Sequence, residues 1–201
     1  MIVTHDDGDH RKGIEELCEI FDVRSAAFPG TFASGDSIGI GADMRLDVLW
    51  PPSSDPDGFT ENDSSLVLML RAPYADLLLT GDLEFAGEEA LLQTGASVSS
   101  DLLKVSHHGS AGATGEEFLG AVRPSFAVIS CGKNNSYGHP SDRVIELLEK
   151  SDIIYARTDT DGAISLRRIC RGVLIFENAS KEKRWLIPQR QKNTLSKPSP
   201  R

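Results

Sequence analysis

The sequence predicts an α/β domain, and two patterns predict it. Residues 65–70 and 76–80 are continuous apolar runs, which are typical of strands buried on both faces of a sheet. From residue 102 to residue 157, short apolar runs alternate with segments of helical spacing. Because helices that alternate with strands cover the faces of one sheet, we expect a central sheet with helices packed on it.

The first fifty residues predict a less regular start. Residues 2–4 read as the end of a buried strand, and apolar residues at helical spacing over residues 14–21 predict a helix behind it. We also expect a strand at 25–28 and a hairpin of strands at 37–40 and 45–50.

The remaining elements follow in regular succession. Good helix formers and short apolar runs alternate until the chain becomes polar and basic after about residue 178. We therefore expect one domain over residues 1–177 and a loose basic tail over residues 178–201. The predicted elements are helices at 84–93, 116–122 and 141–150, strands at 102–105, 126–130 and 153–157, and a closing hairpin at 163–168 and 173–176.

Composition places the chain among soluble globular proteins. Its 201 residues are enough for one domain with a full core, and its hydrophobic fraction of 39% and charged fraction of 25% are ordinary for such a domain. No apolar run approaches the roughly 20 residues of a membrane helix. The first four residues are too short and too soon acidic for a signal peptide. We expect a soluble chain, cytoplasmic by default.

The cysteines and the net charge indicate which kinds of site and partner the sequence disfavours. Cys18, Cys131 and Cys170 are far apart and odd in number, so neither a disulfide framework nor a thiolate zinc site is indicated. The net charge of −9 speaks against a nucleic-acid partner, because phosphate binding rests on basic surface. Two bound divalent cations would cancel about four of these charges locally, which weakens that objection.

The first chemical signal is the run at residues 5–10. It places two imidazoles and three carboxylates within six residues. Groups packed so closely would repel one another and lose hydration on folding without a cation. His5, Asp7, Asp9 and His10 are therefore candidate metal ligands. The alternative is an acidic, solvated N-terminal tail.

Ligand-type residues recur in three places after predicted strands, where α/β sheets assemble their sites. Asp82 follows a strand and a flexible glycine, so it either reaches a buried cation or caps the helix that begins near Glu84. His139 is held by the following Pro140, which fits a fixed ligand and equally an ordinary turn. The third place is the pair His107 and His108.

Adjacent histidines in an extended chain point to opposite sides. We expect one of the pair to reach a metal and the other to face a substrate or a carboxylate, although such a pair is often an accident of core or surface. The glycine and serine that follow the pair suit a phosphate-binding loop, and donors near His139 suit an anionic substrate. The candidate substrate residues are Ser110, Lys133, Asn135 and Tyr137.

Together these motifs resemble the metallo-β-lactamase-like domain of ComEC-type proteins of bacterial competence, which serve DNA uptake. The motifs that carry this resemblance are H-x-D-x-D-H at residues 5–10, LLTGD at 78–82, KVSHHGS at 104–110 and NSYGHP at 135–140. Residues 50–52, 62–68 and 157–164 also match. The resemblance covers nearly residues 1–168, and the order and spacing of its motifs are more specific than any one of them.

The resemblance implies an αββα sandwich with two divalent metals, Zn²⁺ or Mn²⁺, in a cleft at its edge. An aspartate at position 7, where the fold often has histidine, favours the harder Mn²⁺ or Mg²⁺. The implied ligands are His5 and Asp7 at the first metal, Asp9 and His10 at the second, Asp82 between the two, His139 at the second, and His107 or His108 near the first.

The activity implied is hydrolysis of a phosphodiester, most simply DNA during uptake. Asp9 and His108 are the expected catalytic residues, with His107 favoured as the ligand and His108 as the proton donor to the leaving group. The alternatives are a hydrolase of a small phosphoester, cyclic dinucleotide, thioester or lactam on the same fold, or a binding module without catalysis.

The resemblance also implies strands before residue 1, so the first sheet is expected to be incomplete. A strand at residues 2–4 would otherwise lack neighbours and leave apolar surface exposed. We expect a membrane channel domain or a partner chain to supply the missing strands, in which case the domain would be membrane-associated.

Overall fold

A seven-stranded mixed sheet forms the centre of the computed structural model, which describes residues 1–53, 58–170, 173–179 and 182–188. The strands are β1 (Ser37–Ile40), β2 (Met44–Trp50), β3 (Val67–Arg71), β4 (Asp76–Leu79), β5 (Leu102–Lys104), β6 (Phe126–Ile129) and β7 (Ile154–Arg157). They lie in chain order across the sheet; β1 to β4 pair antiparallel and β4 to β7 pair parallel. The parallel half ends in loops that share one edge, where the predicted ligands follow β4 and β5.

The helices are short, and four of them match the predicted positions within a residue. Among the described residues, no helix has the length and apolar character that crossing a membrane requires. The helices are α1 (Gly8–Arg11), α2 (Ile14–Ile20), α3 (Phe85–Gln93), α4 (Glu116–Val122), α5 (Asp142–Lys150) and α6 (Thr158–Asp161), with a 3₁₀ turn at Ser106–Gly109.

Both faces of the central sheet are buried, as the apolar runs predict. Val67 and Met69 of β3 face a core that also holds residues of α3, α4 and α5. Leu68, on the opposite face of β3, packs with Leu46 and Val48 of β2 in a separate cluster. Alternate residues of one strand thus enter different cores, which explains why the strand is apolar throughout. The prediction of an α/β fold is confirmed.

A second sheet covers the end of the first that holds β5 to β7. It consists of β8 (Ile164–Cys170), β9 (Val173–Asn178) and β10 (Arg184–Pro188), which pair antiparallel. The ring of Phe176 in β9 stacks on Phe126 in β6, with centroids 3.9 Å apart, and Trp185 in β10 meets Phe126 edge-on at 5.7 Å. This aromatic contact joins the two sheets into a sandwich.

Strand β10 corrects the prediction that a loose tail begins at residue 178. Trp185 and Ile187 turn toward the core between the sheets, while Arg184 and Leu186, which alternate with them, are exposed. Burial of these two side chains outweighs the basic character of the segment, on which the prediction rested. The rest of the predicted tail, residues 189–201, lies outside the described residues.

The predicted strands at residues 2–4 and 25–28 form only one bridge, between Ile2 and Ala27. The N–H of Val3 donates to the carbonyl of Ala27 at 2.9 Å, and the carbonyl of Thr4 accepts from the N–H of Leu66, the residue before β3, at 3.0 Å. The segment then turns into the ligand loop, so no longer ladder can form.

Candidate metal centre

Asp82 lies at the centre of the site, buried one turn beyond β4. The residue before it, Gly81, adopts the left-handed region with φ +54°, and a Cβ there would come within 2.8 Å of the Cβ of Ser65. Ser65 in turn accepts a hydrogen bond from the N–H of Asp82 at 3.1 Å. Glycine at position 81 is therefore required for the turn that directs the carboxylate inward.

All five histidines of the chain gather around this carboxylate. Four of them aim Nε2 at its Oδ2, and the fifth, His139, packs against His107 with ring centroids 5.6 Å apart. The Nε2 to Oδ2 distances are 3.3 Å for His10, 3.4 Å for His108, 3.8 Å for His5 and 3.8 Å for His107.

The N-terminal loop brings its imidazoles to Asp82 through Thr4. The hydroxyl of Thr4 lies 3.1 Å from Nδ1 of His5 and 3.2 Å from Nδ1 of His10. A hydroxyl can donate to one ring and accept from the other, which turns both Nε2 atoms inward. Asp7 accepts a hydrogen bond from the N–H of Gly8 and caps α1, and it lies on the wall of the cavity rather than beside Asp82.

His107 and His108 do not lie in an extended chain, so the expectation that they point to opposite sides is wrong. Both adopt left-handed conformations, with φ of 44° and 53°, within the 3₁₀ turn. Nδ1 of His107 donates to Oε1 of Glu84 at 3.0 Å, and Nδ1 of His108 donates to the carbonyl of Ser130 at 2.6 Å. These acceptors hold the rings so that both Nε2 atoms face the same carboxylate.

The donor atoms of this cluster fit a divalent cation. Nε2 of His5 and Oδ1 of Asp82 are buried without a hydrogen-bond partner among the described residues, an arrangement that costs free energy unless a cation or water satisfies it. Nε2 atoms of His10 and His108 face each other at 3.3 Å, where at most one proton can lie between them. Ligand atoms of Asp9, His10, Asp82 and His108 all lie within 4.8 Å of one another.

The cluster opens onto a cavity of about 340 Å³. Its wall carries a lysine, Lys12, which contributes a positive charge to an otherwise acidic mouth. The lining residues are Asp7, Gly8, Asp9, Lys12, Asp82, His107, His108, Tyr137 and His139.

The profile that describes the metallo-beta-lactamase superfamily matches residues 1–133 of this chain. The chain belongs to the metallo-β-lactamase superfamily. Membership of this superfamily, together with the cluster of donor atoms, indicates a metal-dependent hydrolase. The predicted resemblance is confirmed at this level.

Similar curated proteins carry competence and recombination names. ComE operon protein 3 of Bacillus subtilis (strain 168) is 37% identical over 190 residues, which cover 83% of this chain and 24% of that protein. Competence protein ComA of Neisseria gonorrhoeae is 32% identical over 170 residues, covering 82% and 24%. Recombination protein 2 of Haemophilus influenzae is 28% identical over 171 residues, covering 82% and 21%. The chain spans about a quarter of the length of these relatives.

Charge in the metallo-β-lactamase site is balanced around Asp82. Burial would raise the pKa of Asp82, but hydrogen bonds from His10 and His108 and the ammonium of Lys104 hold it far below its usual value. Nζ of Lys104 lies 3.6 Å from Oδ1 and donates to the carbonyl of Gly81 at 2.8 Å. The hydrogen bond to Asp82 raises the pKa of His108, whereas burial lowers the pKa of His5.

The helix-cap alternative for Asp82 is not what the structure contains. The cap of α3 is Asp63, from a distant segment, whose Oδ1 accepts hydrogen bonds from the N–H groups of Glu84 at 3.1 Å and Gly87 at 2.9 Å. A Cβ at position 87 would lie 2.9 Å from that oxygen and 2.4 Å from Cδ1 of Leu83, so only glycine admits the carboxylate so closely. Asp82 is thereby left to face the imidazoles.

Of the four candidate substrate residues, the structure places one on the wall of the metal-site cavity. Tyr137 lines the cavity. Asn135 uses its side-chain amide to bond Gly132 and His139, so it holds its own loop together. Ser110 accepts from the N–H of Gly112 at 3.3 Å, and neither Ser110 nor Lys133 lines the cavity.

Four residues of the site escape the sequence reasoning. Thr4, Glu84 and Lys104 stand behind the ligands, and Lys12 stands on the cavity wall. Each adjoins a ligand motif in sequence, which is the one signal that points to them. Their roles depend on side-chain directions that spacing alone does not determine.

Proposed function

We propose that the protein is a dinuclear metal-dependent phosphodiesterase that cleaves DNA. The observation that carries the proposal is the gathering of five imidazoles around one buried carboxylate at the floor of an open cavity. A superfamily of metal-dependent hydrolases and relatives named for competence and recombination support it.

The donor set suits two divalent cations, Zn²⁺ or Mn²⁺, that share Asp82. One would be held by Asp9, His10 and His108, and the other by His5 and His107, with His139 and Asp7 as further donors on the cavity wall. When bound, such ions supply a Lewis acid that activates water and offsets the charge that develops on phosphorus.

This grouping differs from the roles that the resemblance implies for the two adjacent histidines. His108 lies closer to the shared oxygen than His107 does, at 3.4 Å against 3.8 Å. We therefore assign His108 to the metal set as well as His107. Asp9 has a side chain 57% exposed and lies 3.5 Å from His108, so it is the carboxylate placed to accept the proton of an attacking water.

The acidic net charge is compatible with a DNA substrate because the cavity itself is locally positive when loaded. The two cations would neutralise the carboxylates that face them, and Lys12 adds a fixed charge at the same wall. Attraction of phosphate is then confined to the site and its immediate rim. We expect the affinity for DNA to depend only weakly on salt concentration, as for a protein that contacts few phosphates.

The test is cleavage by the full chain after dialysis against chelator and addition of Mn²⁺ or Zn²⁺. The substrates are end-labelled single-stranded DNA, duplex DNA, the p-nitrophenyl ester of thymidine 5′-phosphate, an acyl thioester and a chromogenic cephalosporin. We expect metal-dependent cleavage of DNA and of the nucleotide ester, and none of the thioester or lactam.

Two variants control the assay. Asp82→Asn keeps the shape of the shared ligand without its charge and should be inactive, while Asp22→Asn, which alters an exposed ion pair with Arg24, should retain full activity. If DNA survives while the thioester or the lactam is cleaved, the protein is a hydrolase of another class. If no metal is retained and no substrate is cleaved, it is a binding module.

A further inference from the structure

The loop that carries Tyr137 is closed by a single side chain. The amide nitrogen of Asn135 donates to the carbonyls of Gly132 at 2.9 Å and His139 at 2.6 Å, and its oxygen accepts from the N–H of His139 at 2.9 Å. The loop passes through left-handed conformations at Asn134, φ 57°, and Gly138, φ 72°. These bonds fix the backbone on both sides of Tyr137, so its position is set before any ligand binds.

The start of the same loop is fixed as well. The N–H of Cys131 donates to the hydroxyl of Thr158 at 2.8 Å, and that hydroxyl donates to the carbonyl of Cys131 at 2.8 Å. Because the turn is hydrogen-bonded both at its base and across its middle, its backbone holds residue 137 in a fixed position.

Tyr137 is the apex, and the residue is 79% exposed. One side of the ring stacks on His139, with an interplanar angle of 18° and centroids 5.8 Å apart. A rigid, largely exposed aromatic ring at the mouth of a charged cavity is costly to hydrate and has no role in the core.

A smaller cavity of about 150 Å³ adjoins the metal-site cavity beneath this ring. It shares Asp9 and His108 with the metal cluster, and residues of the clamped loop form the rest of its lining. Its lining residues are Asp9, His108, Cys131, Gly132, Asn135, Tyr137 and His139.

We propose that this smaller cavity is a nucleobase subsite and that Tyr137 is its stacking platform, receiving the base next to the scissile phosphodiester. The proposal rests on the proposed function and adds to it a preference for a substrate that carries a base at that position. Base stacking on an aromatic ring tolerates every base and adds affinity for each one. A base still stacked inside a duplex cannot reach the ring, so the subsite takes unpaired nucleotides or frayed ends.

The test compares an intact single-stranded oligonucleotide with one that carries a tetrahydrofuran abasic residue at the cleavage position. Tyr137→Ala should raise KM for the intact oligonucleotide about tenfold and leave kcat within about twofold. The abasic oligonucleotide should show the same KM with the wild type and with Tyr137→Ala. Tyr137→Phe should behave as wild type and Tyr137→Leu as Tyr137→Ala, because the platform needs a ring rather than a hydroxyl.

A purely structural role would give a different result. If Tyr137 only supported His139, Tyr137→Ala would lower kcat equally for both oligonucleotides, and that outcome overturns the proposal. Tyr74→Ala, an exposed tyrosine in the turn between β3 and β4, is the matched control and should change neither constant.

Binding separates this proposal from the nuclease assignment. Fluorescence anisotropy with the metal-loaded chain and phosphorothioate versions of the same oligonucleotides measures affinity without cleavage. If neither DNA is cut but the intact one binds about tenfold more tightly through Tyr137, the subsite stands and the nuclease assignment fails. If DNA is cut and Tyr137→Ala changes nothing, the nuclease assignment stands and the subsite fails.

Discussion

The metal site has two halves that are held in different ways. The strand-end half, which carries Asp82, His107 and His108, follows strands of the central sheet and has a hydrogen-bonded partner behind each ligand. The N-terminal half, residues 5–10, is attached through the short pairing of residues 1–3 with residues 25–27 and one bond from Leu66. Neither α1, which begins within this half, nor α2, which follows it, buries a residue. One half is built by the fold and the other is brought to it.

The difference teaches where metal binding and folding are coupled. Thr4 turns the imidazoles of the N-terminal half toward Asp82, but the segment that carries them has few other attachments, so a cation shared with Asp82 would add a bond between the two halves. The strand-end half needs no such partner to hold its shape, because Glu84, Ser130 and Ser65 already orient it. We therefore expect the strand-end half to bind the cation in a preformed arrangement. For the N-terminal half, we expect the cation to act as a structural link to the rest of the fold.

The largest effect should come from removing the carboxylate that both halves share. Asp82→Ala should abolish cleavage, by about 10³-fold or more, and remove bound metal, because four imidazoles lose their common partner. His10→Ala, which takes one ligand from the N-terminal half, should cost less in both measurements. Metal content by mass spectrometry and the rate of DNA cleavage provide the readouts. Equal metal content in Asp82→Ala and wild type would contradict a shared site.

A smaller effect is expected behind the strand-end half, at Glu84. Glu84→Gln keeps an acceptor for Nδ1 of His107 but removes its charge, so the affinity for metal should fall about 10- to 100-fold. The affinity of Glu84→Ala for metal should fall further, because the imidazole of His107 loses the acceptor that orients it. Competition with a fluorescent chelator measures both. Glu89→Gln, on the exposed face of the same helix, is the control and should bind as wild type.

Loading with metal should protect the N-terminal half from protease. Trypsin can cut at Arg11, Lys12 and Arg24, all exposed, and at Lys150, which is exposed and remote from the ligands. Saturating Mn²⁺ or Zn²⁺ should slow cleavage at the first three sites about tenfold or more, because binding removes the open state from the population. Cleavage at Lys150 should not change. Equal slowing at all four sites would show that the metal acts on the protease or on the whole fold.

The smallest effect concerns pH and the segment behind the histidine turn. Glu88 is buried in α3 and accepts from the N–H groups of Thr114 at 2.6 Å and Gly115 at 2.8 Å. Burial raises the pKa of Glu88 from 4.5 to about 7, against those hydrogen bonds. The stabilising protonated form is therefore fully present below pH 4.5 and is lost as the pH rises through about 7.

The corresponding variant, Glu88→Gln, removes the titration and keeps one of the two acceptor oxygens. Relative to Glu88→Gln, the wild type should lose about 1–3 kcal/mol of unfolding free energy between about pH 4.5 and pH 8. Urea unfolding across this range gives the difference. Parallel pH profiles for the two proteins would show that the pKa of Glu88 is the same in the folded and the unfolded chain.

The sequence predicted most of the sheet because its signals are local. Apolar runs at 65–70 and 76–80 became β3 and β4, and Asp82 and the two adjacent histidines follow β4 and β5 at one edge of the sheet. Strand β10 escaped prediction because a run of charged residues precedes Trp185, which is half-buried, and Ile187, which is buried. Its stability comes from Phe126, which lies far away in sequence.

Conformation within the site was less accessible from sequence. The left-handed turn at His107 and His108 is closed from behind by Gly109, where a Cβ would come within 2.6 Å of the Cβ of Pro140. That contact joins residues 31 positions apart, and no local pattern records it. Likewise, Asn135 looks like a substrate donor in a list of polar residues and proves to be a clamp once its three partners are known.

Asp63 gives the site one further property. Because it supplies the cap of α3 from another part of the chain, the helix draws none of its stability from Asp82. A residue between a strand and the following helix commonly caps that helix, so a metal ligand at such a position would have to act as cap and ligand at once. Here the cap and the ligand are separate residues, so the affinity for metal can be tuned at position 82 without removing the cap of the helix that follows.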